Sequence, residues 1–506
     1  MKRVAAFTIG GLTVAASAAA GLFGAGAIVA APAPALAKAD ACAALTAPGL
    51  FGQTSVSSAK PVAADAAKGL PAYCEVTATV SPAAGSTIGV VYRLPVGWNG
   101  KMLGLGGGGW AGNVRIESAT PGLKSGYATA QTDGGHGATG PWDTAWASNP
   151  EAITDFAYRA IHLMTEVGKE VVAKYYGKQE TRAYFQGCST GGRQGLMEVQ
   201  RFPDDYDGVI SGAPVYNLLV QTSSVVRNQI LSAPGAGFTA DQLKLVNDAV
   251  LKSCDAKDGL ADGIITDPRA CSWDPAELQC KPGAAGVACL SEGQVAALRS
   301  VYSGVQEIDG RQAAWPLSRG SELGWSRFIQ TSTANPDASN GGGLGGLRGP
   351  ILGDPNFDMA KFDHTVDLAT VRSSAFARAY EANNPAIGAF TKHGKLLMWH
   401  GWYDPGPSAI GTITYFRNVA GAAPDAADNV RLFLAPGVYH CGGGPGPDQF
   451  DLLGALDQWV KTGKPPQTLL ATKVDAKISR PLCPYPAMPH YKGSGDPDAA
   501  ASFECR

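Results

Sequence analysis

A serine set among small residues, Gly187-Cys188-Ser189-Thr190-Gly191, constrains this chain more than any other segment. An apolar strand pattern, Ala183-Tyr184-Phe185-Gln186, runs into it, and a helical pattern over 190–201 leaves it. Turning a strand into a helix so sharply needs small neighbours, and it strains the serine so that its hydroxyl projects from the sheet edge. The motif alone carries little weight in a chain with 65 glycines. The strand before it, the helix after it and Gly191-Gly192 at the helix start give it weight. Further on, Val438-Tyr439-His440-Cys441-Gly442 sets a histidine beside a cysteine, as Ser189 is set beside Cys188. If the serine and histidine meet in one site, their two cysteines come close enough to bond.

Periodicity places this turn in an α/β sheet. Val76, Ala78, Val80 and then Val90, Val91, Tyr92 alternate as antiparallel strands. Lys101–Leu105, Tyr127–Thr132, Ala183–Gln186 and Tyr206–Ile210 read as strands, with a long helical pattern over 151–177. Strand, helix and strand at this spacing imply a mainly parallel sheet with helices packed on it. The pattern breaks near Pro214 and resumes at Lys395–Trp399 and Val430–Leu434. Residues 38–215 and 391–506 are therefore read as one catalytic domain, and 216–390 as an inserted lid over the active edge. An independent domain is the alternative for that insertion.

Strand ends carry the candidate chemistry. Asp404 follows the strand 395–399 and His440 follows 430–434, so serine, acid and histidine occur in the order this fold requires. Neutral His440 would take the Ser189 proton, and Asp404 would orient the imidazole and stabilise its charged form. Asp448 and Asp451 are competing acids but would break the order, and His136 and His400 are competing bases. The backbone N–H of Thr190 and that of Gly108 or Gly109, in the Gly106–Gly109 loop, are candidates for an oxyanion hole.

Composition narrows the setting. With 41 basic and 43 acidic residues and no basic face, a nucleic-acid partner is not expected. Residues 1–37 read as a signal peptide: Lys2-Arg3, an Ala-rich apolar run, then Ala35-Leu36-Ala37 before Lys38. No later stretch is long and apolar enough for a membrane helix, so the mature chain is expected in the periplasm or outside the cell. Ten cysteines in that setting argue for disulfides rather than zinc. Connectivity is not fixed by sequence. Local closure suggests Cys42–Cys74, Cys254–Cys271, Cys280–Cys289 and Cys483–Cys505, leaving Cys188 and Cys441 for each other.

The motifs together resemble the tannase and feruloyl esterase family over nearly all of the mature chain. They are the GGGG-W-x-G loop, G-C-S-T-G-G-R, Asp205-Tyr206-Asp207-Gly208 with Gly212-Ala213-Pro214, W-H-G-W-x-D-P and Y-H-C-G-G-G. The resemblance implies an α/β-hydrolase with a large lid, the Cys188–Cys441 bridge, and small-molecule esters of aromatic acids as substrates, galloyl or feruloyl and other hydroxycinnamoyl esters among them. No organic cofactor is implied. Asp255, Asp258 and Asp262, with glycines for tight turns, suit a hard cation, although plain Asp-Gly turns also explain them. The resemblance implies structural calcium on these three side chains and the carbonyls of Leu260 and Ile264. It also brings His400 toward the substrate, the other role for that residue being to brace its loop. Trp325, Phe328 and Arg348 are further candidate contacts from the lid. Cleavage of the mono(2-hydroxyethyl) ester of terephthalate, also found in the family, is a second reading. Pro407 and a short insertion, where an aromatic and a longer lid are expected for it, count against that reading. A serine peptidase of the same fold and a non-catalytic calcium-stabilised binding protein are the remaining alternatives.

Overall fold

The computed structural model describes residues 39–138, 140–283, 286–329, 344, 346–422 and 428–506. The signal-peptide reading of residues 1–37 lies outside them. One nine-stranded sheet organises the chain. Its strands are β1 (Thr54–Val62), β2 (Tyr73–Val80), β3 (Ile88–Pro95), β4 (Lys101–Leu105), β5 (Ala128–Thr132), β6 (Arg182–Cys188), β7 (Gly208–Gly212), β8 (Lys395–Gly401) and β9 (Val430–Ala435). They lie in the order β1-β2-β3-β5-β4-β6-β7-β8-β9. From β5 to β9 every pairing is parallel, while β1, β2, β3 and β5 pair antiparallel.

The parallel strands are buried on both faces, and successive residues divide between two cores. Phe185, Val209, Leu396 and Met398 pack on one side, and Tyr184, Ile210, Leu397 and Trp399 on the other. Burying each such side chain stabilises the fold by roughly 1.5–3 kcal/mol, so strand register is strongly specified here. The helix α1 (Ala160–Tyr176) covers one face, entered through a π-helical turn at Asp155–Arg159. The antiparallel edge is larger than the sequence pattern implied. Strand β1 reads polar, with Lys60 and Pro61, and it carries a bulge between Val56 and Ser58. Those are features of a protected sheet edge, and they hide a strand from any alternation test.

Strands β7 and β8 pair with each other, Leu397 opposite Ile210 and Trp399 opposite Gly212. The chain between them is therefore an excursion that leaves and rejoins one sheet. It contains the helices α3 (Leu219–Ser232) and α4 (Ala240–Cys254) and two short disulfide loops, Cys254–Cys271 and Cys280–Cys289. Cys42–Cys74 and Cys483–Cys505 tie the two ends of the chain down. All five pairings suggested by the sequence form.

Candidate active site

Strand β6 ends at Cys188, and the next residue turns sharply into helix α2 (Thr190–Arg201). Ser189 has φ 63° and ψ −122°, a conformation that L-residues avoid. The turn is held because Ser189 N–H donates to Gly212 O at 2.9 Å, and its carbonyl accepts from Arg193 at 3.0 Å and Val215 at 3.2 Å. A Cβ at position 187 would stand 2.4 Å from the Gly191 backbone, and one at 192 would stand 2.2 Å from Gly212 O. Both small residues are needed for strand and helix to touch.

The ends of β8 and β9 bring the acid and the histidine to the same edge. Asp404 is 2% exposed. Its Oδ2 lies 2.6 Å from His440 Nδ1, and its Oδ1 accepts from Gly406 N–H at 2.8 Å. Burial pushes the Asp404 carboxyl up, but the His440 charge and hydrogen bonds from His400 and His440 outweigh burial, so it sits below its ordinary value. His440 Nδ1 is therefore the protonated nitrogen facing the acid, which leaves Nε2 able to accept a proton. Ser189 and His440 line one cavity. The Phe328 ring packs edge-on to His440 at 5.1 Å. Cys188 and Cys441 are disulfide-bonded with Cα atoms 6.0 Å apart.

The competing residues are otherwise engaged. Asp448 accepts from Gly443 N–H, and Asp451 caps the helix Leu452–Thr462. His136 is buried against Trp146, ring centroids 4.5 Å apart. His400 is fully buried, so the expected substrate contact is replaced by its bracing role. Its Nε2 lies 3.1 Å from both Asp404 Oδ2 and Pro407 O, and its Nδ1 is 2.7 Å from Thr412 Oγ1. A carbonyl can only accept, so Nε2 carries hydrogen and the ring clamps both ends of the acid loop.

Two backbone N–H groups fit an oxyanion site. Thr190 begins its helix, so its N–H has no intrahelical partner. On the glycine loop, Gly108 N–H donates to Ala111 O at 3.2 Å and Gly108 does not line the cavity. Gly109 lines the cavity, and its N–H has no partner among the described residues. Of the two candidates the geometry therefore favours Gly109 over Gly108. Thr190 Oγ1 donates to Gly109 O at 2.5 Å and locks the two loops together.

The cavity is narrow, about 50 Å³, and opens to solvent at its mouth. Trp110, Trp142, Val215, Val220, Phe328 and Pro407 supply apolar wall, and Gln221 and Ser224 supply polar groups. Phe328 is where the sequence reading put it. Trp325 is not: it is fully buried, donates Nε1–H to Ser321 Oγ and packs on Tyr302, because its helical turn faces the core of the excursion. Arg348 does not line the cavity either, and its Nη1 donates to Phe357 O. Gln221 was missed. Its Nε2 donates to Tyr380 Oη at 3.2 Å, and the single Tyr380 hydrogen goes to Val215 O at 3.2 Å. That pairing fixes the amide orientation and leaves Gln221 Oε1 buried without a partner among the described residues.

The acidic loop of the excursion is tight. Asp255 accepts from Gly263 and Ile264 N–H, Asp258 from Leu260 N–H and Thr266, and Asp262 from Ile264 N–H. Asp262 also pairs with Arg480 at 2.6 Å. Burial raises the carboxyls of Asp255 and Asp258, and repulsion from the neighbouring Asp262 adds to it. Three carboxylates offer the oxygen donors a hard cation takes, but Arg480 already holds Asp262 and, among the described residues, the three do not converge to ligating distance of one another.

An elbow serine after the sixth strand, an acid after the eighth and a histidine after the ninth, on a mostly parallel sheet, define an α/β-hydrolase. The sequence profile of the tannase and feruloyl esterase family matches residues 74–506, and the chain belongs to that family. It is a carboxylic ester hydrolase. The mono(2-hydroxyethyl) terephthalate hydrolase of Piscinibacter sakaiensis is 34% identical over 532 aligned positions, covering 88% of this chain and 87% of that one. A probable feruloyl esterase of Arthroderma benhamiae is 33% identical over 450, covering 83% and 82%. The crystal structure of feruloyl esterase B from Aspergillus oryzae superposes with TM-score 0.84 at 27% identity, covering 92% of this chain and all of that one. Among the described residues no helix is long and apolar enough to cross a membrane.

Proposed function

We propose that this protein is a secreted serine esterase that cleaves carboxylic esters of aromatic acids through an acyl-enzyme. The observation that carries this reading is the 2.6 Å contact between Asp404 and His440 in a histidine that shares its cavity with Ser189. Ser189 Oγ attacks the ester carbonyl while His440 Nε2 takes its proton, and the tetrahedral oxyanion is held by the N–H groups of Thr190 and Gly109. His440 then protonates the leaving alcohol, and water repeats the cycle on the acyl-enzyme. Asp404 stays ionised and stabilises the imidazolium.

The apolar wall with two polar groups suits a flat aromatic acyl group, and the feruloyl esterases among the relatives support it. Cleavage of mono(2-hydroxyethyl) terephthalate is a second reading, favoured by the 34% identical relative. No arginine lines the cavity among the described residues to pair with a free carboxylate, and Pro407 forms part of the wall. The excursion acts as the lid, since Val220, Gln221, Ser224 and Phe328 reach the cavity from it. Asp255, Asp258 and Asp262, with the carbonyls of Leu260 and Ile264, would hold a structural calcium away from the chemistry. Residues 1–37 direct export, in keeping with five disulfides.

The test is hydrolysis of methyl ferulate, methyl gallate, methyl benzoate and mono(2-hydroxyethyl) terephthalate, with Ser189→Ala as blank. Activity on one or two esters, absent in the blank, is expected. Equal activity in Ser189→Ala would sink the Ser189 mechanism, and no activity together with no labelling of Ser189 by a fluorophosphonate would favour a binding protein. Faster cleavage of a matching amide would favour a peptidase.

A further inference from the structure

Behind the nucleophile helix lies a group of side chains that the ester chemistry does not use. His162 comes from α1, Glu198 from α2, and Asp205 from the segment entering β7. One ligating atom from each lies within 4.8 Å of the other two. Two ligands on opposite sides of one divalent ion are separated by about 4 to 5 Å. His162 Nδ1 and Asp205 Oδ2 are 2.8 Å apart, a hydrogen bond that a shared ion would replace.

Glu198 is the observation that calls for a ligand. It is 1% exposed, and among the described residues neither carboxylate oxygen meets a partner at hydrogen-bond geometry, the Asp205 carboxyl alone standing close enough to repel it or share a proton. A carboxylate stripped of water in this way is normally paired or metal-bound. The guanidinium on the same helix does not serve it: Arg193 turns Nη1 and Nη2 to the carbonyls of Ala157, Tyr380 and Phe156. Burial, and next the Asp205 carboxylate, disfavour the charged form of Glu198, and the weaker pull of Lys169 and Arg193 does not offset them.

The surroundings are those of a built ligand set. His162 Nδ1 donates to Asp205 Oδ2 at 2.8 Å and Nε2 faces Glu166 Oε2 at 3.3 Å, so an ion would take the place of the Nδ1 proton while Glu166 holds the other edge of the ring. The Phe202 ring stacks on the imidazole at 3.8 Å and fixes its plane. Asp205 also lines a polar surface groove with Lys169, Glu180, Asp204 and Asp207, which gives an ion a route in. One imidazole with two carboxylates selects a borderline ion over calcium, which prefers oxygen throughout.

We propose that His162, Glu198 and Asp205 form a second metal site, for a divalent transition ion of the zinc class. It joins α1, α2 and the start of β7, and it lies nine residues along α2 from Ser189, about 13 Å by helical rise. Its role is to hold the nucleophile helix in place.

The experiment titrates the mature protein, kept in calcium, with Zn²⁺ and with Co²⁺ as a spectroscopic stand-in. One equivalent of zinc is expected to bind and raise Tm, and Co²⁺ to give visible ligand-field bands. Both effects should persist in Asp258→Asn, in the calcium loop, and vanish in His162→Ala and Glu198→Gln. Glu166→Gln should weaken zinc by about tenfold. His162 is partly exposed, so its variant carries the test if Glu198→Gln does not fold. Binding equal in wild type and His162→Ala would overturn the site. So would a wild type that binds no zinc, and Glu198→Leu raising Tm would then show that the two carboxyls merely share a proton.

Discussion

Cys188 and Cys441 join the residue before the nucleophile to the residue after the base, so one disulfide ties together the loops that must meet for chemistry. The two residues are separated by 253 positions in sequence. On the chain-entropy model, closing so long a loop stabilises the fold by about 5 kcal/mol. Stability is the smaller part of its expected effect. Ser189 and Cys441 both have positive φ, so both loops are held against their local preference. Replacing both cysteines with serine should lower kcat at least about tenfold at temperatures where the variant is folded. Circular dichroism and kcat measured on the same sample check this, and unchanged kcat in folded variant protein would refute it.

The two glycines that sequence leaves as equals for the oxyanion loop should behave oppositely. A Cβ at Gly108 meets nothing within 4 Å, and its N–H is already used. Gly109 has φ +61°, and a Cβ there would stand 2.2 Å from Pro141 O. Gly109→Ala should cost roughly 10²–10³ in kcat, the usual loss for one oxyanion donor. Gly108→Ala should stay within a factor of a few. Reversal of that order in steady-state kinetics would return the role to Gly108.

Sequence reaches the reacting residues better than the pocket, for a physical reason. The elbow needs particular small residues at fixed positions, and the strands carrying Asp404 and His440 are apolar on both faces, so each leaves a local mark. Gln221, Val220 and Trp142 leave none, because they converge only when the excursion folds over the sheet edge. Trp325 has the composition of a pocket aromatic, but hydrophobicity does not say which cavity a ring fills. His400 sits in a recognisable motif, yet its direction depends on Thr412 and Pro407. Strand β1 was invisible because a sheet edge is protected by polar residues.

His136 should make stability depend on pH. Burial pushes its pKa down to about 4, against a smaller upward pull from Asp143, and among the described residues neither ring nitrogen has a partner. The folded state thus favours the neutral ring. Its contribution is complete above about pH 6.5 and is lost as pH falls toward 4. The full loss is on the order of 3 kcal/mol. Urea melts between pH 7 and 4 should show this slope reduced in His136→Phe relative to wild type. Parallel pH profiles would show that the ring titrates normally.

Gln221 should set the choice of acyl group. Its amide is held by Tyr380, and Tyr380 by Val215, so Oε1 cannot rotate away without breaking two hydrogen bonds. Oε1 is sealed behind the cavity surface, and an unpaired buried acceptor is costly until a small shift of the side chain brings it to a donor. The ring hydroxyl of a phenolic acid is such a donor, whereas benzoate and ring-methylated analogues have none. A site built to hydrogen-bond a hydroxyl rejects the analogue lacking it far more strongly than an apolar site can. Wild-type enzyme should therefore prefer methyl ferulate to its 4-O-methyl ether by kcat/KM. Gln221→Leu should shrink that preference at least about tenfold, mainly by losing activity on ferulate. Measuring both esters with both proteins decides it. An unchanged ratio would mean that the acyl ring points elsewhere in the cavity, toward Trp142 or Phe328.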